Sequence, residues 1–369
     1  MKIDLYKNKE RWESFKEKHF YKTPEGIRKQ DWKLLVDFLK DMELGLNTPK
    51  EKKGKRDSGT LLNLASHNQL FLKHFKKQLT QLKKIDLHEL EKEVSSGKIK
   101  KRNGENFSAF GNYIKDFKVF WNWGLRTGNF KENIIEDITS KTDKPNWVYL
   151  SEEQIKKFFN ELSLEYRTYC WFLYDTGMRV TEAMNIRIKD FSENFSKVTI
   201  PDEVSKTFGR TINLKISTEL IKNFVKENNL KENDLLIKKN PFTINKYLRY
   251  HSGKIFGKEK VSHPKSKEVY GNFTIYDIRH NSACYWFNRY PTHKGLMYRF
   301  GWRKADKIEY YSEFLGVSDE IRDNDMILGE DKDKIYKLEK ELDKEREHRK
   351  ELQSRMDYIE NRLKVILKK

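Results

Sequence analysis

Apolar residues recur at helical spacing over the first third of the chain. In IRKQDWKLLVDFLKDMELG the positions Trp32, Leu35, Val36, Phe38, Leu39 and Met42 fall on one face, and Gly45 stands where a helix would stop. A second amphipathic run, LLNLASHNQLFLKHFKKQL, and a third, NFSAFGNYIKDFKVFWNWGL, repeat the pattern. Together they predict a helical N-terminal domain over residues 1–140, followed by a linker at 141–147 around the polar, proline-bearing TSKTDKPNW.

A new pattern starts at about residue 148. Ser151 followed by Glu152, Glu153 and Gln154 reads as a capping box with acids in the first turn. YRTYCWFLYDTG is an apolar helix that halts at Gly177, and MRVTEAMNIRIKDF places Arg179 at the mouth of the next helix, with Glu182 three residues on, able to hold the guanidinium. The period then shortens to two. KVTI and TINLKI alternate on either side of PDEVSKTFGR, which predicts a β-hairpin with Lys206 and Arg210 near its tip. Helical runs resume with STELIKNFVKENN and PFTINKYLRYHSGKIF and continue to about residue 318.

The last stretch, 325–369, carries Leu328, Ile335, Leu338, Leu342, Leu352, Met356, Ile359, Leu363 and Ile366 at three-four spacing, broken by Asp331, Glu345 and Arg349. That is a coiled-coil seam with polar breaks, and it predicts self-association. The fold class expected from the whole pattern is mainly α with a small β-hairpin: a helical N-terminal domain, a mixed α/β domain over 148–318 and a coiled-coil tail.

Composition narrows the function. Lys and Arg number 75 against 56 acidic residues, a formal charge of +19 spread along the chain, and this points to a polyanionic partner, nucleic acid first. In the N-terminal domain Lys53, Lys55, Arg56, Lys73, Lys76, Lys77, Lys98, Lys100, Lys101 and Arg102 interleave with the apolar face, as phosphate contacts require. Cys170 and Cys284 both sit in apolar-aromatic runs and are expected as buried thiols in a reducing compartment. The charged N-terminus does not resemble a signal peptide, and no apolar run is long enough to cross a membrane, so a cytoplasmic location without membrane contact is expected. No His, Cys and carboxylate cluster has metal-site spacing, and neither metal nor cofactor is expected.

The chemistry gathers between Tyr276 and Tyr311, from YDIRHNSACYWF to FGWRKADKIEYY. A guanidinium at Arg279, an indole at Trp302 and the phenols of Tyr310 and Tyr311 form a set suited to binding a phosphodiester and attacking it. With Arg179 and Lys206 upstream, the order of motifs resembles that of the tyrosine recombinases, the phage-integrase type of site-specific recombinase. The matches are Thr176 to Glu182 for the TGxRxxE pattern, Lys206 for the hairpin lysine, Arg279 for HxxR, Gly301-Trp302, and Tyr311 nine residues later. The resemblance is close over 148–316, looser over 20–140, where the family has its core-binding domain, and does not extend to the tail. Tyr276 departs from it, standing where the family usually has His. A phenol, with an intrinsic pKa of about 10, accepts a proton poorly near neutral pH. His280 matches a further histidine frequent in the family and reads equally as a structural residue.

The resemblance implies an enzyme that cleaves and rejoins double-stranded DNA through a 3′-phosphotyrosine on Tyr311. Arg179 and Arg279 would hold the phosphate, Lys206 would protonate the leaving 5′ oxygen, and Trp302 would position the phosphate or buttress the tyrosine. Lys197 and Lys215 lie close enough in sequence to compete with Lys206, and Tyr310 is assigned to packing. It implies synapsis of four protomers, a homo-tetramer, and no small-molecule substrate. The integrase of a mobile element leads; a Xer-type chromosome-dimer resolvase and a non-catalytic architectural DNA-binding protein on the same fold are the alternatives.

Overall fold

The computed structural model describes residues 3–49, 54–101, 103–107, 109–138, 146–266, 268–290 and 292–316, with six single positions beyond. The coiled-coil expectation for 325–369 falls almost entirely outside the described residues. The chain divides into two compact units, 1–304 and 305–369.

Two hydrophobic cores lie in the first unit. One is built by α1 (Asn8–His19), α2 (Lys29–Leu44), α3 (Ser58–His74), α4 (Lys84–Ser95) and α5 (Phe110–Arg126). The spacing that marked α2 does bury one face: Trp32, Leu35, Val36, Phe38, Leu39 and Met42 are all inside, and Gly45 closes the helix in the left-handed region. α3 starts on Asp57, whose carboxylate accepts from the Thr60 N–H at 3.0 Å, and packs against α1, α2 and α5. Aromatic stacking knits the centre, with Phe71 on Phe117 at 4.4 Å and Trp121 on Phe130 at 4.1 Å between ring centroids. The hydrophobic pattern had not marked α1 and α4. α1 buries one residue, Trp12, so most of its surface carries no apolar period.

The second core is built by α6 (Glu152–Asn160), α7 (Leu164–Thr176), α8 (Val180–Ala183), strands β1 (Lys197–Ile200) and β2 (Arg210–Asn213), then α9 (Thr218–Glu227), α10 (Pro241–Phe256) and α11 (Ile275–Phe287); α12 (His293–Phe300) follows it in the chain. The strands pair antiparallel, with Lys197 opposite Asn213 and Ile200 opposite Arg210. Val198, Ile200 and Ile212 turn inward, as a period of two demands. α7 lies along α11. Ser151 caps α6 with the reciprocal Ser151–Gln154 bonds of a capping box.

The backbone entering this core is held by side chains of α11. Asp277 accepts from the Val148 N–H at 2.8 Å, and Asn281 accepts from the Leu150 N–H and donates to the Val148 carbonyl, both at 2.8 Å. Burial pushes the Asp277 carboxyl up to about 6, against the downward pull of its Thr274 and Val148 donors. Trp147, the last residue of the expected linker, is buried and stacks on His280 at 4.8 Å. Cys170 and Cys284 are buried and unpaired, and burial raises both thiols. The second unit contributes α13 (Asp306–Leu315), whose buried side chains are Ile308, Tyr311 and Phe314.

Candidate active site

The site grows from the end of α7. Thr176 and Asp175 are fully buried there, and Gly177 turns the chain with φ of 60° so that Arg179 becomes the N-cap of α8. A Cβ on Gly177 would lie 2.3 Å from the Phe300 ring, so glycine is required both by the backbone angle and by the closeness of that ring.

The Arg179 guanidinium donates to Glu182 Oε1 at 3.0 Å and to the Gly301 carbonyl at 3.0 Å. The anticipated Arg179–Glu182 contact is therefore made, but Glu182 has further partners. Its carboxylate, wholly buried, also accepts the Arg179 backbone N–H at 3.0 Å, the Ser205 hydroxyl at 3.0 Å and two N–H groups of Arg210 at 3.3 and 3.0 Å. Burial alone would raise its pKa. The hydrogen bonds and charge of Arg210, and then those of Arg179, overcome that and hold it at about 2.

Arg279 approaches from α11. Its guanidinium donates to the Gly177 carbonyl and, at 2.8 Å, to the Phe300 carbonyl, and it lies 5.4 Å from the centre of the Phe300 ring. The third donor to the same turn is Arg210 of β2, whose Nε reaches the Arg299 carbonyl at 2.8 Å. Three consecutive carbonyls, 299 to 301, thus receive three arginines from three separate elements. The last carbonyls of a helix lack intrahelical donors and sit at the negative end of its dipole, so the C-terminus of α12 is a natural seat for cations. Gly301 follows with φ of 61°, and a Cβ there would fall 2.8 Å from Arg210 Nη1. Trp302 comes next, buried and stacked on Phe300 at 4.8 Å.

Lys206 is exposed, in the loop that joins β1 to β2. Both its neighbours are tied down: Ser205 to Glu182, and Thr207 through its hydroxyl to the Gly301 carbonyl at 3.0 Å and through its own carbonyl to Arg303. Lys197 and Lys215 lie at the opposite, open end of the hairpin. Tyr276 is half exposed on α11, with its ring 4.4 Å from that of His280 in an edge-on arrangement. His280 itself is buried. Tyr310 and Tyr311 are on α13 of the second unit, their rings 5.0 Å apart.

Arg210 is the residue whose role the sequence reading missed. Its signal was parity: two positions before the inward-facing Ile212, it had to point into the core, where an arginine needs a buried acid. A parallel cluster supports the turn from below α12. Arg299 is buried, pairs with Asp175 at 2.8 Å and lies 3.8 Å from the centre of the Trp286 ring. Asp175 in turn accepts the N–H groups of Lys215, Ile216 and Ser217.

Residues 149–314 match the phage integrase family. This part of the chain belongs to that family, the tyrosine recombinases. The recombinase fold is seen also in solved structures. A lambda integrase dimer bound to a COC′ core site superposes with a TM-score of 0.57 at 13% identity, over 79% of this chain and 98% of that one. The Tn1549 transposon integrase in complex with transposon right-end DNA gives 0.58 at 14% identity, over 79% and 95%. Comparison with curated protein sequences finds no match. The family match places residues 149–314 in the tyrosine-type DNA strand-transferase class of enzymes. No helix among the described residues is long and apolar enough to cross a membrane.

Proposed function

We propose that the recombinase cuts, exchanges and rejoins double-stranded DNA at specific sites through a 3′-phosphotyrosine, as the cytoplasmic integrase of a mobile element. The observation that carries this reading is the delivery of Arg179 and Arg279, from two helices about a hundred residues apart in sequence, to the adjacent carbonyls of Gly301 and Phe300. Two forked cations fixed side by side suit a phosphodiester whose charge grows on the non-bridging oxygens during attack. A donor of this kind, well placed, lowers the barrier by about 3 to 4 kcal/mol.

In this reading the phenol oxygen of Tyr311 forms a bond to phosphorus, the bond to the 5′ oxygen breaks, and the Lys206 ammonium protonates the leaving oxygen. Lys206 is favoured over its neighbours because it extends from a loop whose flanks are anchored to Glu182 and Gly301. Trp302 orients the phosphate or buttresses the tyrosine. Tyr276, in the place of the usual histidine, hydrogen-bonds rather than accepts the tyrosine proton, which passes to water or another group. Phosphotyrosine keeps the energy of the phosphodiester, so religation needs no nucleotide cofactor and no small-molecule substrate.

DNA contact extends to the helical region through Lys55, Lys73, Lys76 and Lys100, which are exposed. Lys77, Lys98 and Lys101 are each engaged by an acid, Asp86, Glu93 and Glu105, and contribute less; Lys53 and Arg102 are outside the described residues. The mobile-element assignment draws on the lambda and transposon integrases among the structural neighbours, and the lambda enzyme's tetramer on a Holliday junction, TM-score 0.54 at 15% identity, supports a tetrameric synapse.

The test is incubation of the purified protein with a library of randomised duplexes, each nicked so that a cut strand is trapped, followed by denaturing electrophoresis. A protein adduct at a 3′ phosphate is expected, and Tyr311→Phe should abolish it while leaving duplex affinity intact. Adduct surviving in Tyr311→Phe removes that residue from the role; tight binding with no adduct from any sequence favours an architectural protein.

A further inference from the structure

We propose that Arg210 is a positioning residue for strand transfer, fixing Arg179 and the Gly301 turn in one rigid assembly; the proposal rests on the catalytic reading above. Arg210 cannot meet DNA itself. Its side chain is fully buried, its Nη1 and Nη2 are committed to the two oxygens of Glu182, and its Nε to the Arg299 carbonyl.

What Arg210 touches, however, determines where the phosphate-binding groups stand. Glu182 receives both the backbone and the side chain of Arg179, so its two oxygens set the height and rotation of that guanidinium. The same Glu182 receives Ser205, the residue before Lys206. Remove the Arg210 fork and the buried carboxylate loses its strongest partner, so it must turn towards Arg179 or gain a proton. Either response moves the guanidinium of Arg179, whose backbone and side chain both rest on Glu182.

The second contact acts on α12. Arg210 Nε binds the Arg299 carbonyl, one residue before the Phe300 carbonyl that holds Arg279 and two before the Gly301 carbonyl that holds Arg179. The Gly301 φ of 61° leaves no room for a Cβ because Arg210 fills that space, so the turn and the guanidinium are mutually fitted. A lysine at this position would keep one positive charge but could span neither the carboxylate fork nor the carbonyl simultaneously. Displacements of about 1 Å in a group that stabilises a transition state cost about 100-fold in rate.

The experiment uses a nicked duplex recovered from the adduct assay and the same duplex with a methylphosphonate at the scissile position. A methylphosphonate is neutral, so the reaction on it depends far less on where the cations stand. For Arg210→Lys the rate of adduct formation should fall about 100-fold on the phosphodiester, with duplex affinity unchanged, and stay near the wild-type rate on the methylphosphonate. Equal losses on the two substrates would show a general structural defect and overturn the proposal, as would an unchanged rate on both. If Arg210→Lys does not fold, Glu182→Gln, which keeps the shape and removes the charge that Arg210 grips, must show the same substrate-dependent loss or the proposal fails. Wild type and Arg179→Lys run alongside: no adduct with wild type, or full activity in Arg179→Lys, indicts the catalytic reading and not Arg210.

Discussion

Glu182 is the residue on which the charges of the site balance. A carboxylate shut away from water is costly unless every lone pair finds a donor, and here the donors come from Arg210, Arg179 and Ser205. Its pKa of about 2 lies below the ordinary glutamate value, so the folded state binds its proton more weakly than the unfolded chain does. The stabilisation this gives is fully present above the ordinary glutamate range and is lost as pH falls towards about 2; the span corresponds to roughly 3 kcal/mol. Glu182→Gln should accordingly be less stable than wild type by roughly 3 kcal/mol at pH 7, with the gap closing as pH falls through 4 towards 2. Urea unfolding at a series of pH values measures this directly; a gap that does not change with pH would mean that Glu182 is not held as an anion in the fold.

Among the elements, α12 does the most to assemble the site, although it has only eight residues. Its C-terminal carbonyls receive Arg210, Arg279 and Arg179, and its Arg299 reaches back to Asp175 at the end of α7. The α7 terminus and the α12 terminus face each other across Gly177 and Phe300 with no space between them. Gly177→Ala would combine a left-handed backbone angle with a Cβ inside the Phe300 ring, and should lower stability by about 2 to 4 kcal/mol. A further consequence separates this from ordinary core damage: Phe300 carries the carbonyl that Arg279 grips, so whatever fraction of Gly177→Ala folds should bind duplex with altered affinity. Chemical denaturation and a binding titration are the two measurements; wild-type stability would contradict the close approach of the two termini.

At the scale of the whole molecule, the sequence joins a basic, aromatic-rich helical region to the proposed phosphate site and to a tail with heptad spacing. The net charge of +19 resides in the chain as a whole, so duplex affinity should be dominated by counterion release. The tail's seam of Ile335, Leu338 and Leu342, resuming at Leu352, is expected to join protomers rather than to hold DNA. Deleting 325–369 should therefore weaken self-association and synapsis by far more than binding to a single site. Sedimentation of the free protein and a two-duplex bridging assay distinguish these effects; unchanged results in both would assign the tail some other task.

Local pattern alone determined α2, α3, α5 and α6 and the two strands that pair. One apolar face on α2, alternation in β1 and β2, and the capping box at Ser151 are decided by neighbours a few residues away, so they can be read in sequence order. The order of Arg179, Lys206, Arg279 and Trp302 was readable for the same reason, as short motifs each complete in itself. α1 was not, because a helix that buries only Trp12 has no period to read. Nor was the part played by Arg210, whose partners Glu182 and Arg299 lie 28 and 89 residues away. Only the tertiary structure brings α8, α11 and β2 to the end of α12. The physical reason is that a buried arginine and an unpaired helix carbonyl satisfy each other wherever the fold lets them meet, and no spacing along the chain records that meeting.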